Sequence, residues 1–215
     1  SPILFCLVIL WITLTRGMSP NDHFDVKDKH SIYIPGAGFS GFWYVLGAVQ
    51  SIPNPESYNY YCYSAGCLAP VAHLGNWSME ETHDFAVSAR NNWKLGITDR
   101  YHVVEDFITS LLRLPHNDVC NVTQATIISE SAVDTHQLPL HALQNLTWLS
   151  KMNIITSSKN SKGRIVHNIQ KPRNIYELRE MLIQTTWIPY VTGRSFWYQN
   201  KSNGEFHMDG AFTAS

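Results

Sequence analysis

Three short segments carry residue types that could do nucleophilic chemistry when folded together. Cys62-Tyr63-Ser64-Ala65-Gly66 sets a serine among small residues, after the aromatic run Tyr58–Tyr63 and before a small-residue stretch. This pattern predicts a strand, a sharp turn and a helix, with the Ser64 hydroxyl lifted clear of the backbone above the helix N-terminus. Such a hydroxyl is a poor nucleophile until a base takes its proton. Ser31–Gly41, reading SIYIPGAGFSG, runs from an apolar strand into a glycine-rich loop. Phe206–Ala211, reading FHMDGA, places one aspartate at a predicted strand end before a glycine.

The elements that must position these residues alternate between strand and helix. Ser31–Pro35 predicts a first buried strand, with Pro35 at its end because proline has no N–H for the ladder. Helices are predicted over 41–52, 65–74, 78–94 and 101–114, the third opened by a capping box at Ser78 and Glu81. The segments 122–128 and 146–156 are expected to supply a helix and a third strand, and 157–164 a polar hairpin turn. Asn174 opens a helix to about Gln184, and 205–208 forms the strand that carries Asp209. Strand–helix alternation argues for an α/β fold with a mainly parallel central sheet and helices on both faces. Sites in such sheets form at the carboxyl ends of strands, where Gly36, Ser64 and Asp209 all fall.

Taken together, the three motifs resemble the patatin-like phospholipase family. The family pattern is a glycine-rich oxyanion loop, a G-x-S-x-G nucleophile elbow and a D-G-[GA] motif in that order. Here they read Gly36-Ala37-Gly38-Phe39-Ser40-Gly41, Cys62 to Gly66, and Asp209-Gly210-Ala211, separated by 28 residues from Gly36 to Ser64 and 145 from Ser64 to Asp209. The stretch Thr185–Gly193 is also similar to the family segment that precedes the aspartate. The resemblance spans about residues 31–212 and implies a three-layer α/β/α patatin-like fold over 31–215. It also implies a serine lipid acyl hydrolase with Ser64 as nucleophile and Asp209 as base, and no cofactor. Cys62, Gly66, Gly41 and Gly210 would support the motifs. Two positions depart from the pattern: Cys62 stands where the elbow has its first glycine, and Ser40 where the loop has a basic residue.

The chemistry expected of these residues is specific. Burial beside Phe206 and Phe212 would raise the Asp209 pKa and make it a stronger base. Backbone N–H groups of the Gly36, Ala37, Gly38 and Phe39 stretch would meet the charge that develops on the carbonyl oxygen. His207 lies two residues before Asp209 and shares its strand face; it reads as a surface residue or a support behind the site rather than a proton carrier. The departures leave a second reading open, a catalytically inactive lipid-binding membrane protein on the same fold. A third reading comes from Gly36, Gly38 and Gly41, which match a dinucleotide fingerprint and would make the chain a nucleotide-binding oxidoreductase with Glu56 on the ribose.

Composition bounds the remainder. The 215 residues are 44% hydrophobic, enough for one α/β domain with a sizeable core. A net charge of −1 without a basic run argues against a nucleic-acid partner. Ten histidines and four cysteines show no metal-ligand spacing. Cys62 and Cys67 flank the nucleophile and read as packed thiols. Residues 1–16 include the apolar run Pro2–Thr13, too short to span a bilayer, and read as part of a signal or membrane-anchor segment. The chain starts without methionine and stops six residues past Asp209, so it reads as a piece of a longer protein. Sequons at Asn76, Asn121, Asn145 and Asn200 lean towards a lumenal route. Phe196-Trp197-Tyr198 reads either as a packed strand or as an acyl-chain or membrane contact.

Overall fold

The computed structural model describes residues 30–114, 147–200 and 203–212. The apolar segment 1–16, the element expected at 122–128 and the sequons at Asn121 and Asn145 lie outside these residues.

The sheet grows around one buried strand. β1 (Ser31–Ile34) and β2 (Asn59–Cys62) pair in parallel, with Ile34 opposite Cys62. β2 pairs in parallel with β3 (Met152–Lys159), with Cys62 opposite Ile154. β4 (Ile165–Gln170) runs antiparallel to β3, because a polar turn at 160–164 is far too short for a parallel crossover. β5 (Tyr198–Gln199) and β6 (Phe206–Asp209) pair antiparallel, and β6 is also antiparallel to β3, with Asp209 opposite Thr156. The fold is therefore α/β with a mixed six-stranded sheet, parallel at its β1–β2–β3 core. The mainly parallel sheet expected from sequence holds only there, because two tight reversals turn β4 and β6 the other way.

Register settles which strands share an edge. Ile154 pairs with both Cys62 and Gln170, so β2 and β4 take opposite edges of β3. Thr156 pairs with both Asp209 and Asn168, so β6 and β4 do the same. β2 and β6 must then lie end to end on one edge of β3. Their C-terminal ends meet there, with only Ile155 between the two ladders.

Local signals explain the helices. α1 (Gly38–Gln50) buries Phe42, Val45, Leu46 and Val49 at three-to-four spacing. It starts at Gly38 rather than Gly41, which puts the glycine-rich loop into its first turn. α2 (Leu68–Leu74) follows a 3₁₀ turn at Ser64–Cys67, so the helix expected behind the serine begins three residues later than predicted. α3 (Met79–Lys94) has the predicted capping box: the Glu81 N–H donates to Ser78 Oγ at 3.1 Å and the Ser78 N–H to Glu81 Oε2 at 2.9 Å. α4 (Val103–Leu111) packs on α3 and on α5 (Ile175–Thr185). Asn174 caps α5 by accepting the Glu177 N–H at 2.8 Å.

α5 matters most for the site. It lies on β3 and β6 and buries Leu178, Leu182 and Ile183. Residues 152–158 of β3 are all buried, so this layer holds the strand on which the site is built. Leu178→Ala is expected to cost about 2–5 kcal/mol, read from urea unfolding at unchanged m-value; a loss below about 1 kcal/mol would contradict this packing.

Candidate active site

The elbow is a strained turn. β2 ends at Cys62, Tyr63 is extended (φ −143°, ψ 162°), and Ser64 then takes φ +55°. A non-glycine residue in the left-handed region costs about 1–2 kcal/mol and persists only where its surroundings demand it. Here they do. Gly66 passes so close to the Pro35 carbonyl that a Cβ would collide with it. The Ser64 N–H donates to Thr185 Oγ1 at 2.8 Å, in a buried bond across the sheet.

The two elbow cysteines are joined. Cys62 and Cys67 form a disulfide with Cα atoms 5.0 Å apart, which corrects the expectation of free packed thiols. The reason is the turn itself. Folding the chain back at Ser64 brings these positions within the Cα range that a disulfide needs. Cys62 thus replaces the glycine of the elbow pattern with a residue whose side chain is spoken for.

The glycine-rich loop lies directly against the nucleophile. A Cβ on Gly36 would sit 2.7 Å from Tyr63 Cε2 and 2.9 Å from Ser64 Cβ, so only glycine fits. Gly38 has φ +58°, again glycine's region. Ala37 is the N-cap of α1, and the first bond of the helix runs from the Gly41 N–H to the Ala37 carbonyl at 3.2 Å. The N–H groups of Gly38, Phe39 and Ser40 therefore have no partner within the helix. Together with the helix dipole they form a set of donors suited to an anion. Phe39 is 43% exposed, so its side chain faces outward while its backbone belongs to this first turn.

Asp209 arrives from β6 and is buried, at 1% exposure. Its carboxylate accepts the Ala211 N–H at 2.8 Å, and the Ser64 side chain lies close enough to act on the carboxyl. Its own N–H donates to the Trp187 carbonyl at 3.0 Å. Burial pushes the Asp209 carboxyl above its ordinary value of 3.8, and the Ser64 side chain and the Ala211 bond pull it partly back. Phe206 and Phe212, expected to bury it, are instead 46% and 37% exposed. The cover comes from the sheet seam. A Cβ on Gly210 would lie 2.5 Å from the Ile155 oxygen and 2.6 Å from Tyr63 Cβ, so the chain beyond Asp209 is pressed between β3 and the elbow.

His207 does not join this pair. His207 is buried on the strand it shares with Asp209, which corrects the surface alternative. Its Nδ1 lies 3.4 Å from Thr156 Oγ1 and its Nε2 3.4 Å from the Glu205 carboxylate. Burial lowers its pKa, and the Glu205 charge offsets this in part. Glu56, the ribose ligand of the dinucleotide reading, sits in a 3₁₀ turn at Pro55–Ser57. Among the described residues no three His, Cys, Asp or Glu side chains gather as a metal site.

The structure brings Gly36, Ser64 and Asp209 together, with Gly66 and Gly210 as the close-approach positions. Sequence reasoning did not single out Tyr63 or Thr185, which touch this cluster. Thr185 lay in a stretch noted only for its resemblance. No residue pattern tells that its hydroxyl would cross to Ser64.

A carboxyl whose pKa is raised on folding destabilises the fold once ionised, above the folded value, and costs nothing below the unfolded value. Asp209→Asn is therefore expected to raise Tm at about pH 7 and to leave it unchanged near about pH 3. Thermal unfolding at both pH values checks this, and an equal shift at both would contradict it. Gly66→Ala is expected to lower stability by more than about 3 kcal/mol or prevent folding, since the colliding atom is backbone; a soluble variant with wild-type Tm would contradict the close approach.

No protein-family model matches this chain, and no curated protein and no solved structure matches it significantly.

Proposed function

We propose that the chain is a serine acyl hydrolase, with Ser64 as nucleophile, Asp209 as base and the first turn of α1 as the oxyanion site. The observation that carries this reading is that the left-handed elbow residue Ser64 (φ +55°) and the buried Asp209 meet at one seam of the sheet, where the Ser64 side chain acts on the Asp209 carboxyl. A left-handed serine, a raised carboxyl and unpaired helix N–H groups around one point fit acyl transfer.

The steps balance with these groups alone. Ser64 Oγ bonds to the ester carbonyl carbon as Asp209 takes the hydroxyl proton. N–H groups of the first turn of α1, those of Gly38, Phe39 and Ser40, receive the charge on the carbonyl oxygen. Asp209 returns the proton to the leaving alcohol, and an acyl-Ser64 ester remains. Water then attacks this ester, Asp209 taking its proton and passing it to the departing Ser64 oxygen, which frees the acid.

The finer parts of the proposal rest on the resemblance: a three-layer patatin-like fold, and a glycerolipid or phospholipid acyl ester as substrate at a membrane surface. The alternative is an inactive lipid-binding relative, favoured by Ser40 in the place of the basic loop residue. A secretory or membrane route is part of the same proposal. It is supported by the Cys62–Cys67 disulfide, a bond that persists in oxidising compartments. Asn76 is exposed in the turn between α2 and α3, whereas Asn200 is 7% exposed. Among the described sequons, a glycan is expected at Asn76 and not at Asn200 when the chain is made in a secretory host. Glycopeptide mapping reads this, and an unmodified Asn76 would count against the route.

A fluorophosphonate probe with intact-mass readout tests the reaction. Wild type is expected to gain one adduct, Ser64→Ala none, and Asp209→Asn to react at least about 100-fold more slowly. The rate should fall as pH drops through the Asp209 pKa, with the acid limb above the ordinary carboxyl value of 3.8 because burial raises it. A folded wild type that takes no adduct would leave the lipid-binding alternative in its place.

A further inference from the structure

We propose that Thr185 is a positioning residue of the reaction, its hydroxyl setting the aim of Ser64 at Asp209; this rests on the hydrolase reading above. The geometry begins at the seam on β3. The β2 ladder ends with Cys62 opposite Ile154, and the β6 ladder begins with Asp209 opposite Thr156. Ile155 lies between them: it pairs with Ile169 of β4 but is opposite no residue of β2 or β6. Thr185 fills that gap. Its hydroxyl donates to the Ile155 carbonyl at 2.7 Å and accepts the Ser64 N–H at 2.8 Å. One oxygen thus replaces a missing rung and joins the elbow, β3 and the end of α5.

The same turn holds the other partner. Two residues past Thr185, the Trp187 carbonyl accepts the Asp209 N–H at 3.0 Å. Residues 185–187 therefore fix the backbone of both members of the pair, Ser64 through a side chain and Asp209 through the main chain. Thr185 is fully buried, so no water can take over its bonds. Ser64 sits at a strained φ of +55°, where a lost anchor lets the turn relax. Only a short hydroxyl can donate and accept at this spot. Serine retains that ability, and valine keeps the shape without it.

The test compares Thr185→Val and Thr185→Ser with wild type in the full chain. Fluorophosphonate adduct rate, ester kcat and KM, and the pH profile of the adduct rate are read on folded protein. Thr185→Val is expected to lose between about 10- and 100-fold in adduct rate and kcat, with KM unchanged. Its acid limb should move to higher pH, because the action of the Ser64 side chain that holds the Asp209 carboxyl down is weakened. Thr185→Ser should restore both rate and limb. A purely structural threonine would lower Tm in both variants without moving the limb. Wild-type rates and limb in Thr185→Val, or an equal loss in Thr185→Ser, would overturn the positioning role alone. A wild type that takes no adduct would overturn the hydrolase reading and this role with it. If Thr185→Val does not fold, Thr185→Ala and Thr185→Cys, read in the same assays, decide the question: wild-type rates in either would overturn it.

Discussion

Along one edge of β3 the ladder from β2 stops at Ile154 and the ladder from β6 begins at Thr156, and everything at the site follows from that seam. Two strands running in opposite senses towards the same point deliver their C-terminal residues to one place. β2 delivers the turn that carries Ser64. β6 delivers Asp209. Neither needs a long loop, so each side chain is set by a strand whose position the buried β3 fixes. A fully parallel sheet could not bring two carboxyl ends head to head in this way. The antiparallel entry of β6 is thus the feature on which the pair depends.

Close approach at the seam dictates residue size. Gly36 meets Ser64 and Tyr63, Gly66 meets the Pro35 carbonyl, and Gly210 meets Ile155 and Tyr63. These three contacts draw β1, β2, β3 and β6 around one point. The elbow is held by more than sterics. The disulfide closes it from Cys62 to Cys67, and the Ser64 N–H is tied across to Thr185. A strained φ of about 1–2 kcal/mol is small against several such constraints acting together.

Burial at the same seam sets the electrostatics. Removing the Asp209 carboxylate from water raises its pKa and strengthens it as a base, while the Ser64 side chain and the Ala211 bond keep it ionisable. Against it stands the open first turn of α1, whose N–H groups favour negative charge.

How far this was legible in the chain depends on the range of the forces involved. Short-range signals were readable: the Ser78–Glu81 capping box, the Asn174 cap, and strands closing within one residue of Ile34, Cys62 and Asp209. The small residues around Ser64 and the glycine after Asp209 marked a tight turn and a close approach, because steric demands act on neighbours in the chain. Sequence alone thus marked the helices and the strands β1, β2 and β6, but not β4, and nominated Ser64 and Asp209 as the residues for chemistry. Tertiary structure decided the rest. Whether β6 enters parallel or antiparallel depends on a tight reversal before it, which side-chain periodicity does not encode. The cover over Asp209 comes from Ile155 and Tyr63, distant in sequence, and not from the adjacent Phe206 and Phe212. Cys62 and Cys67 pair because the elbow folds them together, and Thr185 reaches Ser64 across 121 residues because α5 packs over the seam at Ile155.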